Sequence, residues 1–224
     1  MNDQMTETIV IPHIDDVACS HGANVAMVEL GMAGGVTCGS VMVPPSWFPE
    51  IVSQPGLDEL DLGIHLTLTS ESAAFRWRPI STTSRSSGLL DDDGFMWPQA
   101  APVRRRAAPD AVEGELRAQI DAALAAGIDV THLDHHMGTA LAPEFVAITI
   151  RIAADYRLPV FFPTDIDSFL SVIDMGLEMD HPEVAVLKDA RHQAGELAFG
   201  DTFLMGLTYQ EEPDPRATFE RLLT

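Results

Sequence analysis

Apolar and polar residues alternate along this chain in two distinct rhythms. Short apolar runs of strand length recur at Thr8–Ile14 (TIVIPHI), Thr37–Val43, Leu62–Leu68 (LGIHLTL), Val130–Asp134, Pro159–Phe162 and Thr202–Leu207. Between them lie segments with helical spacing. Ser20 is placed to cap a helix running to about Leu30, and Gly34-Gly35 then turns the chain. Val112, Leu116, Ile120 and Leu124 recur every fourth residue and predict an amphipathic helix. Pro143–Tyr156 predicts another, with Pro143 in its first turn. Strands alternating with helices imply a parallel α/β sheet, open or closed into a barrel, in one domain over 1–224. The stretch 70–109 breaks the rhythm. It is rich in turn residues and carries Phe75, Trp77, Phe95 and Trp97, so it reads either as a lid or binding loop or as an insertion whose aromatics cover the core edge.

The strand assignment makes the chemistry converge. One strand ends in His13-Ile14-Asp15-Asp16, another holds His65, and another runs His132-Leu133-Asp134-His135-His136. In parallel α/β folds the carboxyl ends of the strands form the site. In Leu62–Leu68 the alternation puts Gly63, His65 and Thr67 on the face opposite the leucines. A lone histidine there would be an ordinary core residue. Three histidines and an acid within five residues are rarely required for packing. Imidazoles and carboxylates together suit a divalent cation with a coordination position left for water. Adjacent aspartates could supply both a ligand and a base for that water.

Composition narrows the partners. With 34 acidic and 13 basic residues the chain carries a net charge of −21. Such a surface repels phosphate backbones, which argues against nucleic acid and admits neutral sugars or cations. No apolar run has the length of a membrane span. The start, Met1-Asn2-Asp3-Gln4, lacks the basic and apolar parts of a signal peptide, so a cytoplasmic location is the expectation. Cys19 and Cys38 form no CxxC pair and read as free thiols.

The segments IPHIDDVACSHGAN, DLGIHLTLTSE and THLDHHMGTAL, in this order, resemble the three motifs of the YdjC-like carbohydrate deacetylases. The resemblance implies a distorted or incomplete (β/α) barrel of the TIM or NodB-like type. It implies removal of acetyl groups from N-acetylated sugars. One divalent metal would be held by Asp16, His65 and His136, with zinc or magnesium the first choices and manganese or cobalt also accepted. Asp15 would be the general base, with His132 and Asp134 orienting the ligands. Trp77 and Trp97 are the candidate sugar-binding aromatics. Val17-Ala18-Cys19 and His135 depart from the family pattern and put the pocket wall in question.

The resemblance also implies a His-Pro pair after a late strand, whose histidine would protonate the leaving amine. His181-Pro182 is the one such pair here, and it precedes the last predicted strand. Six predicted strands also fall short of the eight of a closed barrel. The chain is therefore expected to lack a C-terminal βα segment, to bind metal but deacetylate weakly, and to leave a barrel side that a second copy could cover. Two competing readings are an iron- and 2-oxoglutarate-dependent oxygenase, from His132-x-Asp134, His181 and Arg191, and a non-catalytic sugar-binding protein on a decayed fold. A metallo-β-lactamase-like motif fails because Val130 stands where a histidine is needed.

Overall fold

The structure, a computed structural model, describes residues 9–177 and 181–203. Six strands, β1 (His13–Val17), β2 (Cys38–Val41), β3 (Leu62–Leu66), β4 (Val130–His135), β5 (Val160–Phe161) and β6 (Ala198–Phe199), form one sheet in the order of the sequence. Every neighbouring pair is parallel. Sequential order without a reversal is the winding of a (β/α) barrel and not of a doubly wound sheet. The helices are α1 (His21–Met32), α2 (Phe48–Val52), α3 (Ala100–Arg106), α4 (Pro109–Ala125), α5 (Val146–Tyr156), α6 (Ile166–Val172) and α7 (Glu183–Ala194).

The sheet curls. His13 on β1 lies 3.2 Å from His132 on β4. Three strand spacings across a flat sheet would separate them by about 14 Å. Phe199 on β6 meets the same His132 ring, with centroids 6.1 Å apart. Side chains from β1, β4 and β6 thus meet inside a distorted barrel, with β1 and β6 as the sheet edges among the described residues. This architecture excludes the double-stranded β-helix that the oxygenase reading requires.

Several boundaries differ from the sequence expectation. The first strand starts at His13, not Thr8, and Thr8 itself lies outside the described residues. Ile9, Val10 and Ile11 are 80%, 55% and 51% exposed, so that apolar run is not the strand. Pro12 has no N–H to contribute to a ladder. The sixth strand is Ala198–Phe199; of the predicted Thr202–Leu207, residues 204–207 lie outside the described residues. Pro143 precedes α5 instead of opening it. On α4, Val112, Leu116 and Ile120 are fully buried but Leu124 is 45% exposed. A spacing of four overshoots the helical turn, so three such steps rotate a side chain by about 120° around the axis. Ala123 takes the buried position.

The insertion at 70–109 is packed. Trp77, Met96 and Met42 form a small apolar cluster, and Leu89 and Val103 join the main core. Buried Glu115 on α4 accepts from the Ile80 and Ser81 amides at 3.1 and 2.8 Å. Next to it, Gln119 holds both the amide and the carbonyl of Thr67. One polar pair on α4 thereby fixes the insertion and the end of β3.

Candidate metal centre

Asp16 reaches the barrel interior because β1 is irregular. Ile14 pairs with Gly39 and Val17 with Val41, so β1 has one residue more than β2 over this stretch. Such a bulge bends a strand and re-aims its side chains. Asp16 adopts φ 58°, in the left-handed region that aspartate tolerates better than most residues. Strict alternation would send Asp15 and Asp16 to opposite faces. The bulge turns both inward.

β4 has one residue more than β3 between Val130 and Leu133, and from His132 on its alternation is regular. His132, Asp134 and, just past the strand end, His136 share the inner face. His135 points the other way, with Nε2 2.9 Å from the Phe161 carbonyl and its ring against Phe169. Burial pushes the His135 imidazole toward neutrality. It is a core histidine.

Asp16, His65 and His136 converge. Asp16 Oδ1 lies 3.2 Å from His65 Nε2 and 2.9 Å from His136 Nδ1. The far nitrogen of each imidazole meets another carboxylate. His65 Nδ1 lies 3.1 Å from Asp134 Oδ2, and His136 Nε2 lies 2.8 Å from Glu71 Oε2. Ser40 Oγ donates to the same Asp134 oxygen at 3.1 Å, and the His135 amide donates to Asp134 Oδ1 at 2.7 Å. Without an ion the inner nitrogens donate to Asp16; with one bound, the outer nitrogens would keep their protons and the inner ones would turn lone pairs to the ion. Carboxylate-backed imidazoles of this kind are the usual supports of a bound divalent ion. The donor set therefore fits a metal: two imidazole nitrogens and one carboxylate oxygen at the C-terminal ends of β1, β3 and β4.

The electrostatics agree. Burial works against ionisation of Asp16 and Asp134, but the neighbouring imidazoles win and hold both carboxyls well below the usual range. Burial likewise disfavours charge on His65 and His136. The carboxylates around them overcome it and raise both. Protons bound there without metal are what a cation would displace.

The other candidates are distributed as follows. Asp15 lies outside the triad, bonded to His13 Nδ1 at 2.8 Å and grouped with Asp134. His132 contacts His13 and Thr131. Trp77 is 5% exposed and stands edge-on to His136, with centroids 6.0 Å apart. Trp97 donates to the Gly88 carbonyl at 2.9 Å and stacks under Arg106, which anchors the insertion. His181 sits just before α7, with its side chain 47% exposed. Sequence reasoning assigned nothing to Ser40 or Glu71. Glu71 closes the segment DLGIHLTLTSE and could have been noticed there, whereas Ser40 carries no sequence signal.

Fold and site together define a parallel α/β barrel carrying a two-histidine, one-carboxylate cluster at its strand ends. The profile of the YdjC-like protein family matches residues 9–220, and the chain belongs to that family. A carbohydrate deacetylase of Thermus thermophilus is 37% identical over 159 residues, which is 71% of this chain and 55% of that protein. One from Brevibacillus brevis is 35% identical over 69% of this chain and 59% of its own length. One from Vibrio vulnificus is 29% identical over 67% and 57%. The matches thus span a little over half the length of these relatives. A crystal structure of a candidate cellobiose-phosphate cleavage protein from Enterococcus faecalis superposes with a TM-score of 0.68. It is 21% identical and covers 95% of this chain and 73% of its own, which supports the fold. No helix among the described residues is long and apolar enough to cross a membrane.

Proposed function

We propose that this chain is the catalytic core of a metal-dependent deacetylase acting on N-acetylated sugars. The observation that carries the reading is the convergence of Asp16, His65 and His136, each imidazole backed by its own carboxylate. Asp16 Oδ1, His65 Nε2 and His136 Nδ1 would hold the ion. Once bound, the ion supplies a water of lowered pKa and polarises the acyl carbonyl.

The chain's own residues do the rest. Asp134 and Ser40 fix the His65 ring, and Glu71 fixes His136. Asp15 takes the proton of the attacking water. His13 Nδ1–H holds one Asp15 oxygen at 2.8 Å and orients the carboxylate for that transfer. Trp77 forms an apolar wall behind His136. The relatives' names point to a sugar, and a net charge of −21 favours a neutral one over a polyanion.

The test is acetate release from a panel of N-acetyl sugars, with bound metal measured in the same samples. Asp15→Asn is expected to keep the metal and lose about 10²–10⁴-fold in rate, the typical effect of removing a general base. Asp16→Asn is expected to lose metal as well. Equal metal loss in both variants contradicts the split of roles. Metal and sugar binding without acetate release from any substrate would favour the non-catalytic alternative.

A further inference from the structure

A second group of ligating side chains lies in the same barrel and shares no residue with the triad: His13, Cys38 and His132. It is built by three strands. His13 on β1 pairs in register with Cys38 on β2, and His132 reaches over from β4. Cys38 and His132 are 8% and 7% exposed. The neighbouring strand makes room for the His132 ring. A Cβ on Gly63 would stand 2.5 Å from its Nε2, so only glycine fits there.

The hydrogen bonds determine where the protons are. The Thr131 hydroxyl has a single proton, and its oxygen lies 2.5 Å from Asp61 Oδ1 and 3.2 Å from the Leu62 carbonyl. Both neighbours can only accept, so that proton is used. Thr131 Oγ1 therefore accepts at its 2.8 Å contact with His132 Nδ1, and His132 carries its proton on Nδ1. His13 Nδ1 faces the Asp15 carboxylate at 2.8 Å and is likewise an N–H. In the neutral rings both Nε2 atoms are then bare lone pairs, yet they face each other at 3.2 Å. Two lone pairs at that distance repel unless a positive centre is shared between them. A divalent ion bound tetrahedrally with metal–nitrogen bonds of about 2.05 Å would set two nitrogens about 3.3 Å apart. The Cys38 sulfur, the third member of the group, completes a three-sided donor set.

We propose that His13 Nε2, His132 Nε2 and Cys38 Sγ form a second metal site, taking a thiophilic divalent ion of the zinc type. Two imidazoles and a thiolate select such an ion over magnesium or calcium. Asp134, also near His13, is not needed as a ligand because both its oxygens already accept hydrogen bonds. The ion must displace the Cys38 proton. Burial, with Asp61, Asp134 and Asp15 nearby, pushes that thiol up to about 12, and the same negative field attracts a cation. Its place gives it two consequences. It ties β1, β2 and β4 together inside the barrel. By drawing electron density from His13, it makes Nδ1–H a stronger donor to Asp15, and so acts as a positioning element for that residue.

The probe is Co²⁺, added to the full chain after chelator treatment. Two equivalents are expected, with a near-ultraviolet sulfur-to-cobalt charge-transfer band and intense tetrahedral visible bands from one of them. Cys38→Ser and His13→Asn should each abolish the charge-transfer band and reduce binding to one equivalent. His136→Ala should remove an equivalent but keep the band, which separates failure of this site from failure of the proposed catalytic one. Cys19→Ser should keep the band. Circular dichroism checks the fold of each variant. If Cys38→Ser does not fold, His13→Asn decides, since His13 is partly exposed and its change adds no bulk. The site is refuted if the unmodified chain shows no charge-transfer band, or if the band survives Cys38→Ser or disappears with Cys19→Ser. The two histidines would then share a proton.

Discussion

Asp134→Asn changes one atom and should cost the chain most of its affinity for metal. The Asp134 Oδ1 atom accepts from the His135 amide at 2.7 Å. Oδ2 accepts from Ser40 Oγ and His65 Nδ1, both at 3.1 Å. An asparagine has one acceptor oxygen. Facing its NH₂ toward the His135 amide would set donor against donor inside the protein, which costs about 1–3 kcal/mol. The amide therefore turns its oxygen to His135 and its NH₂ toward Ser40 and His65. His65 Nδ1 must then accept, and the ring's proton moves to Nε2, the nitrogen beside Asp16. Nε2 can no longer offer a lone pair to a cation. Loss of such an orienting partner typically lowers metal affinity 10–100-fold, or about 1.4–2.8 kcal/mol. Calorimetric titration of the chelator-treated chain with Zn²⁺ or Co²⁺ measures it directly. Ser40→Ala serves as the control, because it removes a neighbour without changing the tautomer, and it should lose less. Unchanged affinity in Asp134→Asn would refute the tautomer argument and the place of His65 among the ligands.

Three further outcomes follow from the same geometry. Glu71→Gln should weaken metal binding less than Asp134→Asn, because the Glu71 side chain is 44% exposed and water can replace it; competition between the two variants for limiting metal ranks them. Glu115→Ala should lower the unfolding free energy by about 2–5 kcal/mol, since it strands the Ile80 and Ser81 amides and the Gln119 amide group, with Glu115→Gln recovering part of this in urea titrations. His65 and His136 are raised in the metal-free fold, so their contribution is fully present below about pH 6.5 and is lost as pH rises through the folded values. The melting temperature of the metal-free chain should fall over that alkaline interval. Asp16, Glu71 and Asp134 are lowered and act oppositely, their contribution vanishing as acid protonates them below about pH 4. Saturating metal should flatten the alkaline slope, and a slope unchanged by metal would contradict the assignment of both histidines.

Much of this protein is determined by local sequence. Leu62–Leu66 and Val130–His135 are strands because their alternation buries leucines on one face and leaves the other to His65, His132 and Asp134. Ser20 caps α1 through its side-chain bond to the Ala23 amide, a device readable from four residues. The grouping of histidines and acids at three strand ends was equally legible, because a period of two needs no tertiary information. The rest depends on contacts between distant parts of the chain. The bulge in β1, which brings Asp15 and Asp16 to one face, is a matter of register against β2. Ser40 acquires its role from the fold alone, by lying between His65 and Asp134, and the partner of Glu71, though that residue closes a legible segment, is set only when the fold brings it to His136. The segment 70–109 has no period because its order comes from Glu115 on α4 and from packing of its own Trp77 and Met96 against Met42, partners that lie outside it. The nose-to-nose contact of His13 and His132 joins residues 119 positions apart. No sequence pattern encodes it, since it exists only because the sheet curls β1 around to face β4.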